Sequence, residues 1–284
     1  MSLKKIEVEP GADLRGYTHI KIGGRAKYLF KPENVDELGN VISDTGPKFY
    51  LLGKGSNLLI ENKVISQPIV KLSRGFSFIE KQGECLKVGA GCELSSLLKY
   101  CIDNDLGGLH NLAGIPATVG GLLSMNASSF GESISSPLQE VEVMDKKGNI
   151  KDLAKEKIGF GYRSSSLGDY IILSAKFRLP KEESLKSKIK SLLVKRFERQ
   201  DFRFPSCGCI FKNPHDKSAG SMIDSCGLKG LRKGEALVSE RHANFIVNLG
   251  SAKYSDVDYL IRKIKDRIYK KYSIILEEEI IRWN

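Results

Sequence analysis

The sequence of 284 residues contains no apolar run of about 18 residues, and its opening MSLKKIEVEPGADL has no apolar core of signal-peptide length. Neither a membrane-spanning helix nor a secretory leader is therefore expected, and the reading is a cytoplasmic protein. Six cysteines, at 85, 92, 101, 207, 209 and 226, form no CxxC pair and have no spacing to the four histidines that suits zinc. Reduced thiols and no metal are expected. Two nucleotide signatures are also missing. No GxxxxGK[ST] occurs, and the GxG of Gly53-Lys54-Gly55 meets Leu58 where a third glycine should stand, followed by an apolar strand rather than a helix. Gly89-Ala90-Gly91 fails in the same way at Leu94. The formal charge of +11, from 45 Lys and Arg against 34 Asp and Glu, favours anionic partners. No zinc-finger spacing, RNP-like aromatic pattern or helix-turn-helix signal accompanies it, which argues against nucleic acid as that partner.

What is present centres on Asn111 to Gly131, NLAGIPATVGGLLSMNASSFG, which combines glycines, one proline and small polar residues without a strand or helix period. Gly114 and the Gly120-Gly121 pair permit positive φ and close approach of a ligand, while Pro116 marks the first turn of a short helix. Such a start presents free N–H groups to an anion such as phosphate. A glycine-rich surface loop is the alternative.

Around this stretch the chain reads in order. Gly23-Gly24 suggests a tight bend at a ligand. Lys48 to Leu52 reads as a strand running into the loop Gly53-Lys54-Gly55-Ser56-Asn57 and out through Leu58-Leu59-Ile60, and a nest of N–H groups in that loop can hold a phosphate. Leu94, Leu97, Leu98, Cys101 and Ile102 make one buried helix face. Val141 and Val143 alternate before a Lys146-Lys147-Gly148-Asn149 turn, the mark of a strand pair. Arg163, among small residues in Gly159 to Ser166, either aims at a phosphate or carboxylate or is a surface-loop arginine.

Between Lys181 and Arg203 the basic residues cluster around Leu185, Ile189, Leu192, Leu193 and Phe197 at helical spacing, the pattern of a solvated amphipathic helix. Phe204 to Pro214 suggests a strand whose ends face a site, and a short helix with Ala219, Met222, Ile223 and Cys226 inward stops at Gly227. His242, lacking a paired carboxylate or nucleophile, reads as ordering the loop before the strand Phe245-Ile246-Val247. A last helix starts near Ser255 and buries Val257, Leu260, Ile261, Ile264 and Ile268. A terminal strand, Ser273 to Trp283, sets Glu277 and Glu279 on one face and Glu278 on the other. A carboxylate in so apolar a strand needs a partner or a task.

Taken together, TxxKIGGxA, GKGSNLL, GIPATVGG followed by MNA, GYRSS, GCIFKNP, ERHANFIVN and the terminal LEEEI resemble, in order and over nearly the whole chain, the UDP-N-acetylenolpyruvoylglucosamine reductases, the MurB family of peptidoglycan synthesis. The resemblance implies an α+β protein with a two-lobed FAD-binding domain of the vanillyl-alcohol oxidase (PCMH) type at 1–180, its lobes about 1–75 and 76–180, and a substrate-binding α+β domain at 181–284. It implies FAD as cofactor, held by Gly53, Lys54, Gly55, Ser56 and Asn57 and by Gly114, Ile115, Pro116, Thr118, Gly120 and Gly121, with Asn126 and Ala127 near the flavin ring. NADPH reduces FAD, and flavin N5 then gives hydride to C3 of UDP-N-acetylglucosamine enolpyruvate while a proton reaches C2.

By similarity Arg163 and Glu279 stabilise the intermediate, Cys209 gives the proton, and Tyr162, Lys212 and Asn213 contact substrate. Cys209 departs from the serine usual in the family, Ala117 from a glycine, and Asp201 from a common proline. The short C-terminal region looks like the compact branch, which lacks the tyrosine-bearing loop. A flavin oxidase of the same fold, its flavin attached covalently, would have only His110 to offer.

Overall fold

A computed structural model describes residues 6–214 and 217–284; Met1 to Lys5 of the opening stretch lie outside the described residues. The described residues divide into two compact units, one within 6–10, 28–54 and 67–195, the other within 11–27, 55–66 and 196–284.

The first unit carries two sheets. In one, Glu7–Pro10 runs antiparallel to Tyr28–Lys31, which continues in parallel through Ile69–Val70 to Tyr50–Leu51. Helix α1 (Val35–Thr45) starts where the Asn34 side chain accepts the Glu37 N–H at 2.9 Å. Its apolar face, Leu38, Val41 and Ile42, buries against Phe30 and Val70. The second sheet is antiparallel, in the order Ile150–Ala154, Leu138–Met144, Ile171–Phe177, Cys85–Gly89, Ile79–Gln82. The strand pair expected around Lys146 to Asn149 is present, with Asp145 accepting the Lys147 and Asn149 N–H groups across the turn.

Helix α2 (Leu94–Asp103) buries Leu94, Leu97, Leu98 and Cys101 as its spacing required. Helix α3 (Val119–Ser124) packs Val119, Leu122 and Leu123 into the same core. Helix α4 (Leu185–Arg199) holds to the expected stripe at Leu185 and Ile189 but not at Phe197, which is exposed and packs edge-on against Phe202 at 4.8 Å. Arg196 is the residue in phase with Ile189 and Leu193, as i, i+4, i+7, and its side chain is buried instead.

The second unit is built on an antiparallel sheet ordered Ser206–Cys209, Phe245–Asn248, Ala236–Val238, Arg232–Lys233. Helices α5 (Ala219–Ser225) and α6 (Tyr254–Tyr272) share its core, α6 through Val257, Leu260, Ile261, Ile264 and Ile268. Leu58–Ile60 belongs here because it pairs in parallel with Ile281–Trp283. Residues 11–27 and 55–66 thus group with the C-terminal unit, a grouping that differs from a division of the chain at residue 180. The bend at Gly23-Gly24 serves the chain itself: a Cβ on Gly24 would lie 1.7 Å from the Lys63 carbonyl oxygen.

Only Ile281–Trp283 of the expected terminal strand is regular; before it the chain touches its neighbour through the single bridge of Phe211 with Glu278. Glu278 has its partners, Lys265 and Arg282, the latter with Nε 2.7 Å from the carboxylate. Arg282 also reaches Asp258 at 2.6 Å and the Tyr254 hydroxyl at 3.1 Å. Burial pushes both carboxylates up, but the hydrogen bonds and charge of Arg282, with Lys265 at Glu278 and Arg262 at Asp258, bring them net below their ordinary values.

Groups depressed in the folded state stabilise fully above the ordinary carboxylate range, and that stabilisation is lost as pH falls through the folded value. Arg282→Met should therefore lower the unfolding midpoint clearly at pH 7, with the gap to the parent closing below about pH 4. Thermal melts across pH measure it; a gap independent of pH would show that Arg282 acts through packing alone.

Candidate active site

Of the expected cofactor residues, Gly53, Lys54 and those from Gly114 to Ala127 belong to the first unit, and Gly55, Ser56 and Asn57 to the second. Gly53 lies so close to Thr118 that a Cβ would stand 3.0 Å from its hydroxyl oxygen. Lys54 forms an ion pair with Glu93, which precedes α2 and bridges to Thr118. The Leu94 N–H donates to the Ala117 carbonyl at 2.9 Å. Those bonds keep the chain extended through Thr118, so α3 begins at Val119 and not at Pro116.

The first turn of α3 is not a free anion site. Val119 and Gly120 donate to the carbonyls of Cys92 and Ala90 at 2.9 Å, and Gly121 donates to the Thr118 hydroxyl at 3.3 Å. Gly120 is a helical glycine required by close packing, since a Cβ would meet Ala90 at 3.1 Å; of the three glycines only Gly114, at φ +87°, uses the left-handed region.

The bare donors lie in the loop instead. Among the described residues, no backbone N–H of 53–57 donates to another protein group, while the loop's carbonyls at Gly53, Gly55 and Asn57 accept from Lys71, His19 and Ile281. Lys71, which the sequence reading did not single out, is half-buried. Burial first, and Lys54 second, push its ammonium below the ordinary lysine value. Unpaired N–H groups with two lysines beside them are the chemical complement of a diphosphate. Gly114, Pro116 and Gly121 are exposed, Ile115 is half-buried, and Thr118 is buried.

The far end of α3 meets the GYRSS hairpin. Asn126, at φ +41°, donates from its side chain to the Gly161 carbonyl at 3.0 Å and accepts from the Ser135 hydroxyl at 2.8 Å. Ala127 donates its N–H to the Leu122 carbonyl. Phe160–Gly161 pairs with Ser164–Ser165, leaving Tyr162 and Arg163 at the turn. Arg163 takes φ +55°, a region L-residues other than Asn and Asp enter rarely, and its Nη1 donates to the Ser128 hydroxyl at 2.7 Å. Tyr162 is exposed, with the Arg163 guanidinium 5.3 Å from its ring centre.

In the second unit Cys209 ends a strand, opposite Phe245, and is half-buried. Ile210 accepts the Glu279 N–H at 2.8 Å, and Asn57 donates its side-chain N–H to the Glu279 carbonyl at 3.0 Å. Lys212 pairs with Glu277 through both side chains and, at 2.9 Å, through its own N–H. Asn213 accepts the Ala219 N–H at 3.0 Å and so helps to start α5.

The buried guanidinium of Arg196 feels the charge of Cys209: burial pushes it below its ordinary value and Cys209 draws it back. The sequence pattern presents most of this helix as a solvated face, and the phase of Arg196 with Ile189 and Leu193 is the signal that sets it apart. His242 donates its backbone N–H to Ser239 and packs on Phe245, with burial holding its imidazole below the ordinary histidine value, which is the structural part expected of it. His110 has Nδ1 at 3.4 Å from a Glu182 carboxylate oxygen. Among the described residues no three His, Cys, Asp or Glu side chains group to hold a metal ion, and no helix is long and apolar enough to cross a membrane.

Residues 26–154 match the family model of an FAD binding domain, and residues 200–283 that of the UDP-N-acetylenolpyruvoylglucosamine reductase C-terminal domain. The class is thereby defined: an FAD-containing oxidoreductase of α+β fold, with a vanillyl-alcohol-oxidase-type (PCMH) flavin domain followed by a C-terminal α+β domain. Over 281 residues the chain is 38% identical to the UDP-N-acetylenolpyruvoylglucosamine reductase of Halalkalibacterium halodurans, covering 96% of this chain and 93% of that one. Over 277 residues it is 39% identical to the same reductase of Thermotoga petrophila, covering 94% and 96%. The crystal structure of the reductase from Thermus caldophilus is similar with a TM-score of 0.86 at 35% identity, over 99% of both chains. The chain belongs to the UDP-N-acetylenolpyruvoylglucosamine reductase family.

Proposed function

We propose that the protein reduces UDP-N-acetylglucosamine enolpyruvate to UDP-N-acetylmuramate with NADPH, as a cytoplasmic enzyme of peptidoglycan precursor synthesis. The observation that carries the reading at the level of residues is the bond from the Glu279 N–H to the Ile210 carbonyl, which holds the main chain of Glu279 against the residue that follows the expected proton donor, Cys209. Family membership supplies the substrate class.

FAD, when bound, supplies hydride transfer from NADPH to C3 of the enolpyruvyl group. The protein's own residues do the rest. The N–H groups of 53–57, with Lys54 and Lys71, hold the diphosphate, and Gly114 and Gly121, which are exposed, border it. Asn126 and Ala127 line the flavin ring. Arg163 donates to the substrate carboxylate, where negative charge builds once C3 has gained hydride, and Glu279 in its protonated form adds a second donor there; donors aimed at developing charge contribute most to rate. Cys209 gives its thiol proton to C2. Tyr162, Lys212 and Asn213 contact the sugar nucleotide.

Oxidation of NADPH by the purified holoenzyme should require the enolpyruvyl sugar nucleotide and yield the lactyl product. Absorbance at 340 nm with and without that substrate checks this directly. Turnover of equal rate without it, with oxygen as acceptor, would replace the reading by an oxidase.

A further inference from the structure

Asn57 looks from the sequence like one more donor of the phosphate loop, and the structure employs it elsewhere. Its side-chain N–H donates to the Glu279 carbonyl at 3.0 Å, and its own carbonyl accepts the Ile281 N–H at 2.9 Å. Asn57 therefore holds the peptide groups on either side of Ile280. Glu279 is fixed from the other direction by its N–H on the Ile210 carbonyl at 2.8 Å. Both polar groups of the Glu279 main chain are thus engaged, one by the segment that carries Cys209 and one by the side chain that ends the 53–57 loop. Outward of that point the chain relies on the short pairing of Ile281–Trp283 with Leu58–Ile60, which the two Asn57 bonds begin.

We infer that Asn57 is a positioning residue for Glu279, a clamp that ties the loop of free N–H groups to the carboxylate used in the second half-reaction, and not a ligand of the flavin through its side chain. The inference rests on the reading of Glu279 as a group that acts on substrate. The amide is suited to this task because a carbonyl acceptor demands a donor, which its NH₂ supplies. Its consequence is directional. A loop settled on a diphosphate also settles residues 279–281, so cofactor loading and placement of the carboxylate are linked, whereas reduction of the bound flavin by NADPH does not draw on the carboxylate.

The test uses the holoenzyme in two variants, Asn57→Ala and Asn57→Leu, the second keeping bulk without a donor. FAD affinity, measured by flavin fluorescence, should stay within about threefold of the parent, a difference under 1 kcal/mol. The rate of flavin reduction by NADPH should change far less than the rate of reoxidation does. Reoxidation by the enolpyruvyl substrate should slow on the order of 100-fold, the scale of an ångström of misplacement, with its pH profile altered. Amide hydrogen exchange at 277–283 should rise in both variants while α6, as a control for global stability, stays protected.

A parallel fall in FAD affinity and flavin reduction would make Asn57 an ordinary flavin ligand and overturn the inference. Unchanged exchange at 277–283 would overturn it as well. Glu279→Ala separates the two failures: if that variant reoxidises normally the role of Glu279 falls, while the exchange measurement still decides whether Asn57 is the clamp.

Discussion

Cys209→Ala should leave reduction of FAD by NADPH nearly intact and slow reoxidation by the enolpyruvyl substrate by roughly 10²- to 10⁴-fold, the range general acids contribute. The split follows from the chemistry: the first half-reaction moves a hydride and needs no proton at C2, whereas the second cannot finish without one. Cys209→Ser restores the side chain usual in the family and should recover most of the rate. The two donors differ in their pH response. A thiol with an ordinary value near 8.5 loses its proton on the alkaline side, and a hydroxyl does not. Reoxidation by the parent should thus decline as pH rises through the thiol's titration, and Cys209→Ser should lack that limb.

Stopped-flow traces of each half-reaction from pH 6 to 10 would decide the matter. Equal loss in both half-reactions on Cys209→Ala, or an alkaline limb that survives in Cys209→Ser, would remove the thiol from the donor role.

The local pieces of this fold were legible because their signals are local. The stripe Leu94, Leu97, Leu98 and Cys101 and the alternation before Lys146 each fix an element without reference to the rest of the chain. The grouping of residues 55–66 with the C-terminal unit was not legible, since Leu58-Leu59-Ile60 reads as a strand and names no partner, and the partner Ile281–Trp283 lies over two hundred residues away. The start of α3 was misplaced for a related reason. Pro116 is a fair local signal for a first turn, but the bridge of Glu93 with Thr118 holds the backbone extended past it. Among candidate site residues, type and spacing pointed to the loop at Gly53 and to Arg163. Lys71, Arg196 and the clamp at Asn57 depend on what faces them, which periodicity does not encode.

Asn244→Ala should cost the C-terminal unit about 2–4 kcal/mol, lowering the unfolding midpoint by on the order of 5–10 °C. Asn244 is 3% exposed, and its side chain replaces a stretch of sheet. The ladder between Ser206–Cys209 and Phe245–Asn248 is irregular and ends at Cys209. Beyond it Ile210 donates to the Asn244 carbonyl at 2.8 Å, while the Asn244 amide accepts the Phe211 N–H at 3.0 Å and donates to the Phe211 carbonyl at 2.8 Å. Truncation leaves a donor and an acceptor without partners beside the fully buried ring of Phe211, and each such group costs about 1–3 kcal/mol.

Asn244→Asp sharpens the account. It keeps the acceptor for the Phe211 N–H but sets a carboxylate oxygen against the Phe211 carbonyl, which raises its folded-state pKa above the unfolded value. A group raised in this way stabilises below its unfolded pKa and loses that contribution as pH rises through the folded one. Asn244→Asp should therefore match Asn244→Ala or fall below it at pH 8 and recover towards the parent near pH 5, where its protonated oxygen can donate. Melts at the two pH values check this, and a pH-independent deficit would mean that shape alone is being measured. Because Cys209 and Lys212 flank the pinned Ile210-Phe211 pair, the same variants should lose reoxidation rate before they lose flavin reduction.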